Sequence, residues 1–150
     1  MNGDKQRLLD ERYMRMAAIW AENSYCIRRK VGALIVKDKM IISDGYNGTP
    51  SGFENVCEDE TGETKPYVLH AEANAITKVA RSHNSSMGAT MYVTTSPCIE
   101  CAKLIIQAGI KRVVYNQRYR RTDGCALLER AGVEVVFIEL DKSEIVNNDI

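Results

Sequence analysis

Apolar side chains recur at Leu8, Leu9, Tyr13, Met16, Ala17 and Trp20. That spacing predicts an amphipathic helix over residues 5–22. The next apolar run, VGALIVKD, carries little polarity and reads as a strand buried on both faces. MIISDGY reads as a second strand, and the short KDK between the two predicts a hairpin. Periodicity then stops. NGTPSGFENVCEDETGETKP, with its glycines, prolines and acidic run, is the longest irregular segment of the chain. Loops of that length in compact domains are usually functional. A helical period returns from His70 to Arg81, followed by strand ATMYVTT, helix CIECAKLIIQA, strand KRVVYN, helix TDGCALLERA and strand VEVVFIEL. The closing DKSEIVNNDI is polar and is expected to fray.

The order of elements is α-β-β, a long loop, then α-β-α-β-α-β. Regular alternation in the second half predicts parallel strands joined by right-handed crossovers, with helices on both faces of the sheet. The first two strands supply an antiparallel edge. The expected fold class is α/β, a three-layer α/β/α sandwich around a five-stranded mixed sheet, in a single domain over 1–140 with a polar tail at 141–150.

Composition narrows the function classes. The chain has 150 residues and a formal net charge of +0, which weakens the case for a dedicated nucleic-acid binder. Five cysteines, an odd number with only Cys98 and Cys101 close in sequence, do not resemble a disulfide framework. The N-terminal stretch is charged throughout, and no apolar run reaches the ~18 residues of a membrane span. The expectation is a cytoplasmic protein with free thiols, in which Cys26, Cys57 and Cys125 are small buried side chains.

The chemistry concentrates in two short stretches. In SPCIEC, Ser96 suits a helix cap and Pro97 the first helical position. Cys98 and Cys101, three apart, then share one face of the first turn, where the helix dipole favours thiolate. His70, one of only two histidines, opens the preceding helix, with Glu72 two residues on. Two cysteines and a histidine make three ligands. A structural zinc takes four protein ligands, whereas a catalytic zinc takes three and keeps a position for water. Glu72 is then free to hold that water and move its proton. A zinc that only holds the fold, and a redox pair at Cys98 and Cys101, are the alternatives. The first needs a fourth ligand, and the second leaves His70 and Glu72 without a role.

HAE followed by PCIEC resembles the signature of the zinc-dependent nucleotide deaminases. More finely, CIRRKVGALIV, ISDGYNGTPSGFE, HAEANAI, MYVTTSPCIECAKLIIQAGIKRVVY and RYRRTD are similar to the deoxycytidylate (dCMP) deaminases of the cytidine/deoxycytidylate deaminase family. The resemblance implies a cytidine deaminase-like sandwich and one catalytic Zn2+ per chain on His70, Cys98 and Cys101. It implies attack of a zinc-activated water on C4 of the base, with Glu72 as proton shuttle, converting dCMP to dUMP and ammonia ahead of thymidylate synthesis. It assigns the 5′-phosphate to Arg28, with Arg29 and Lys30 as neighbouring cations that could serve instead. Asn47 takes a sugar hydroxyl, Tyr119 closes over base or phosphate, and backbone groups of Ala71 and Ser96 meet the ring. Several relatives bind a second, structural zinc through extra cysteines and histidines before HAE. Here that loop offers only Cys57, with Cys26 near it.

By the same resemblance the partners are the nucleotide substrate, dCTP and dTTP effectors with Mg2+, and further copies of the chain, with a hexamer expected. Lys78 and Arg81 either serve an interface or effector phosphates, or form a solvent-facing edge. Neither a membrane nor a nucleic acid is expected as partner. A deaminase acting on a base within tRNA or another polynucleotide is the rival reading. Zero net charge and the GYNGTPSG loop argue against it.

Overall fold

A computed structural model of the chain describes residues 3–140. The elements are α1 (Gly3–Ala21), β1 (Gly32–Lys37), β2 (Met40–Tyr46), α2 (Ala71–Ala80), β3 (Thr90–Thr95), α3 (Ile99–Gln107), β4 (Arg112–Gln117), α4 (Asp123–Arg130) and β5 (Glu134–Phe137). The expected α/β sandwich with a five-stranded mixed sheet is what forms, in the order β2-β1-β3-β4-β5. β1 runs antiparallel to β2 and β3, while β3, β4 and β5 run parallel. The tail 141–150 lies outside the described residues.

Strand alternation sorts the core into two layers. Ala33, Ile35, Met91, Val93, Val113 and Tyr115 point to one face, where they pack with Ala71, Ala75, Ala102, Ile105 and Leu128 of α2, α3 and α4. Leu34, Val36, Tyr92 and Val114 point to the other, against Met14 and Ala17 of α1. Both faces of the central strands are covered, which is why β1 reads as a continuous apolar run. The hairpin turn between β1 and β2 is made by Asp38 and Lys39, both with positive φ (51° and 61°). Left-handed geometry at both turn residues matches the twist of the flanking strands.

Beneath α1 sits a buried polar cluster. Arg112 on β4 donates two hydrogen bonds to the Asp10 carboxylate, at 2.8 and 2.7 Å. The Tyr92 hydroxyl donates to the same carboxylate at 2.7 Å, and the Gln6 amide at 2.9 Å. Asp10 is 3% exposed.

The topology brings several chain segments to one end of the sheet. β2 and β3 run the same way, each antiparallel to β1 between them. The residues after β2, β3 and β4 therefore gather beside those preceding β1. Crevices outside the carboxyl ends of strands are where open α/β sheets bind ligands. No helix among the described residues is long and apolar enough to cross a membrane.

Candidate metal and substrate site

His70 is the N-cap of α2, with extended backbone and no hydrogen bond from its side chain to the helix. Its ring is thus left to turn away from α2. The helix itself is held against β2. Ser43 donates to the carbonyl of Ala75 at 2.7 Å, and Asn74 donates to the carbonyl of Tyr46 at 2.8 Å. A Cβ at Gly45 would stand 2.4 Å from the Ala71 carbonyl oxygen, so only glycine lets the first turn of α2 approach β2 this closely. Across the site, a Cβ at Gly124 would stand 2.1 Å from the carbonyl oxygen of Pro97. The start of α4 thereby clamps the turn that carries the cysteines.

That turn differs from the expectation in one respect. Cys98 itself is the N-cap of α3, so the helix begins at Ile99 and Pro97 precedes it. Ser96 does not cap the helix; its hydroxyl accepts the backbone N–H of Tyr119 at 2.6 Å. The result ties the turn after β3 to the turn after β4. Cys98 and Cys101 still point the same way. His70 Nδ1 lies 3.5 Å from Cys98 Sγ and 3.3 Å from Cys101 Sγ.

The three potential ligand atoms lie within 4.8 Å of one another, and among the described residues no fourth His, Cys, Asp or Glu joins them. Zinc–sulfur bonds of about 2.3 Å and zinc–nitrogen bonds of about 2.0 Å put tetrahedral ligands some 3.5–3.8 Å apart. The donor set fits zinc in type and in spacing. Proton chemistry agrees. A hydrogen bond from Cys101, then one from His70, pulls the Cys98 thiol down to about 3. The hydrogen bond to Cys98, reinforced by burial, pushes Cys101 up. The hydrogen bond to Cys98 also raises His70. Cys98 is therefore held as thiolate by two donors whose protons a cation would replace.

Glu72, in the first turn of α2, is 4% exposed. Burial pushes its carboxyl up from the ordinary glutamate range. A carboxyl so placed takes up a proton more readily than a solvated one, as a group that passes protons to a ligand requires.

His70, Glu72 and Cys98 line a cavity of about 670 Å³, together with Ala71, Ser96, Asn47, Tyr119 and Arg28. Among the residues predicted to meet substrate, all five therefore border the same space as the ligand cluster. The neighbours of Arg28 divide: Arg29 lines the cavity and Lys30 does not. Arg28 pairs with Glu63 at 3.3 Å, and the Arg29 guanidinium lies 5.6 Å from the Tyr119 ring centroid. Asn47 has a bracing task as well. Its amide donates to the carbonyl of Arg29 at 2.8 Å and accepts the N–H of Val31 at 2.9 Å, so it holds the arginine segment. Lys78 is absent from the cavity wall and pairs with Asp44 at 2.6 Å; Arg81 is likewise outside it.

Several lining residues were not expected. Arg118 and Arg120 flank Tyr119 and add two cations to the wall. The signal for them was the arginine density of RYRRTD itself. Thr95, the last residue of β3, also lines the cavity, and its buried hydroxyl has no partner among the described residues. Glu58 and Glu63 enter from the long loop. Finally, Cys26 and Cys57 are not free thiols but a disulfide, with Cα atoms 5.1 Å apart. The expectation failed because the two are 31 residues apart, and only the fold of the long loop brings them together. Cys125 is a free, half-buried thiol.

Comparison with known proteins agrees with this geometry. Residues 8–117 match the family described as cytidine and deoxycytidylate deaminase zinc-binding region. A crystal structure of dCMP deaminase from the cyanophage S-TIM5, in complex with dCMP and dUMP, is 47% identical; the match covers 92% of this chain and 99% of that one, with a TM-score of 0.85. ComE operon protein 2 of Bacillus subtilis is 42% identical, over 87% of this chain and 71% of its own. Deoxycytidylate deaminase of phage T4 is 36% identical, over 81% and 86%. On its family match over residues 8–117 and its likeness to these relatives, this chain belongs to the cytidine and deoxycytidylate deaminase family.

Proposed function

We propose that the protein catalyses the zinc-dependent hydrolysis of dCMP to dUMP and ammonia, a step that supplies the substrate for thymidylate synthesis. One observation carries the reading. A single cavity is bordered by His70 and Cys98 of the ligand cluster and by buried Glu72, together with Arg28, Arg29, Arg118 and Arg120. The first group suits hydrolysis of an amino-substituted ring, and the second suits a phosphate. A deaminase for the free nucleoside would have no use for so many guanidinium groups.

His70, Cys98 and Cys101 would hold the ion, which acts as a Lewis acid and makes a water nucleophilic at neutral pH. Glu72 accepts the proton of the attacking water and passes it to the ring nitrogen beside C4. It then takes the proton of the hydroxyl now on C4 and passes it to the amino group, which leaves as ammonia. Burial keeps the proton affinity of Glu72 high enough for both transfers. Backbone groups of Ala71 and Ser96 fix the ring edge, Asn47 meets a sugar hydroxyl, Arg28 takes the phosphate in exchange for Glu63, and Tyr119 closes over the ligand. The reading includes a homo-oligomer, a hexamer by family likeness, in keeping with exposed apolar side chains such as Trp20, Ile27, Met40 and Phe53.

The test is ammonia release by zinc-loaded protein from dCMP, CMP, deoxycytidine and tRNA in parallel. Lanes with dCTP plus Mg2+, and with dTTP, address the effectors. Turnover of dCMP far ahead of CMP, deoxycytidine and tRNA is the expected result. Turnover of tRNA or of free nucleoside, with silence on dCMP, would retain the metal chemistry and overturn the roles given to Arg28 and Asn47.

A further inference from the structure

The segment that carries Arg28 and Arg29 joins α1 to β1 without regular structure of its own. Its position depends on other parts of the chain. Glu58 Oε2 accepts the backbone N–H groups of Ile27, at 3.1 Å, and of Arg28, at 3.3 Å. One residue before Glu58, Cys57 forms the disulfide to Cys26, and both cysteines are buried, at 0% and 3% exposure. The anchoring piece is itself well built. Glu58 and Thr64 form a β-bridge, Lys65 donates its N–H to the Cys57 carbonyl at 2.8 Å, and Asp59 donates its N–H to the Glu63 carbonyl at 2.8 Å. The Asp59 carboxylate accepts N–H groups from Thr61 and Glu63 inside the turn. The long loop thus presents a folded tongue, fastened to the arginine segment by the disulfide, by the Glu58 carboxylate and by the Arg28–Glu63 pair. Cys26, Arg28, Arg29, Glu58 and Glu63 all border the cavity of the proposed active site.

We infer that the Cys26–Cys57 disulfide and Glu58 act together as a positioning device for the phosphate-binding arginines, so that affinity for a nucleoside monophosphate depends on the oxidation state of this cysteine pair. The inference rests on the reading of Arg28 as phosphate ligand. Breaking the bond takes two electrons and two protons and leaves two thiols. With a water-soluble phosphine as reductant, phosphorus takes the oxygen of one water and becomes a phosphine oxide, and the two hydrogens of that water go to the sulfurs. Cys26 borders the cavity, so a bound nucleotide lies across the approach to the disulfide. Once the bond is open, Glu58 and the exposed Arg28–Glu63 pair are left to hold the tongue to the segment, and Arg28 and Arg29 lose part of their fixed setting. His70 caps α2, which Ser43 and Asn74 tie to β2, and Cys98 caps α3, whose first turn carries Cys101.

The experiment compares the zinc-replete full-length protein in oxidised and phosphine-reduced forms, with zinc content measured in each. Steady-state kinetics are run on dCMP and on deoxycytidine, which has no phosphate. Reduction is expected to raise KM for dCMP about tenfold while kcat changes less than about twofold, the pattern of lost binding rather than lost chemistry. Turnover of deoxycytidine should stay level. Cys57→Ser and Glu58→Ala should each move KM for dCMP in the same direction. By reciprocity, saturating dUMP should make the disulfide harder to reduce by the factor by which reduction weakens dUMP binding, and that measurement needs no variant to fold. Arg28→Ala, assayed alongside, separates the two claims. If it leaves KM for dCMP unchanged, the phosphate reading fails and this inference falls with it. If it raises KM while the reduced protein keeps the KM of the oxidised one and dUMP gives no protection, the positioning role alone is overturned.

Discussion

Asp10→Ala tests whether the cluster beneath α1 is a buried ion pair on which the fold depends. Asp10 is 3% exposed, and the Arg112 side chain is 13% exposed. Removing the carboxylate leaves a guanidinium without its bidentate partner. Breaking a buried pair from one side costs about 3–5 kcal/mol. Two features of the site adjust that range. Glu134, 3.4 Å from Arg112 Nε but largely exposed, remains as a weak partner and favours the lower half. The Tyr92 hydroxyl loses its acceptor in a dry setting, adding about 1 kcal/mol. The sum is about 4 kcal/mol, which at a urea m-value of about 2 kcal/mol/M lowers the unfolding midpoint by about 2 M. Burial works to raise the Asp10 pKa, but the hydrogen bonds from Arg112, Tyr92 and Gln6 and the charge of Arg112 together outweigh it and hold the pKa below the ordinary range. A depressed carboxylate contributes stability that is complete above the unfolded pKa of about 3.9 and disappears as pH falls through the folded value. The gap between wild type and variant should therefore be full at neutral pH and close in acid. Urea titrations of both proteins at a series of pH values measure it. The double variant Asp10→Leu/Arg112→Met, which removes both charges, should lose much less than the two single changes added together. A loss below about 1 kcal/mol for Asp10→Ala, or strict additivity in the cycle, would refute the reasoning. Turnover per folded molecule should not change, because the cluster lies on the α1 face and the metal ligands on the other.

Other consequences follow from the site. Glu72→Gln should lower kcat on dCMP by about 10²–10⁴-fold. Zinc content should persist and the urea midpoint should hold or rise, since a neutral amide sits more easily than a carboxylate where burial already opposes charge; full activity would remove the proton shuttle from the mechanism. Chelation of the metal should abolish turnover, and stoichiometric Zn2+ should restore it; restoration by a reductant alone, without metal, would favour a redox pair at Cys98 and Cys101. Glu63→Gln should lower KM for dCMP by up to about fivefold, because the exposed Arg28–Glu63 pair is worth at most ~1 kcal/mol and the substrate phosphate must displace it; a raised KM would show that Glu63 holds Arg28 in place instead of competing for it.

What was legible in the chain beforehand was what depends on neighbours in sequence. Apolar period placed all nine elements within a few residues, because covering both faces of the sheet requires the runs at Gly32–Lys37 and Thr90–Thr95 and the helical stripes between them. Each half of the candidate metal site was legible for the same reason: Cys98 and Cys101 are fixed by one turn of helix, and His70 and Glu72 by another. The departures are all contacts closed over long stretches of chain. Ser96 has the composition of a cap, but the N–H of Tyr119, 23 residues on, takes its hydroxyl, and Cys98 becomes the cap instead. Asp10 and Arg112 are 102 residues apart. The cysteines at 26 and 57 look like unrelated thiols until the tongue folds back on the segment before β1. These long closures share a physical role. Local sequence creates each half of the candidate metal centre, and the sheet brings the halves together across 28 and 31 residues, in a form that many substrates could use. The wall that would select a phosphorylated one is assembled from segments with no regular structure, and such segments hold a fixed shape only when something distant is bonded to them. Specificity in this fold should therefore be easier to alter than catalysis. The residues to alter are those that fasten the wall, Asn47, Glu58 and the disulfide, ahead of those that touch the metal.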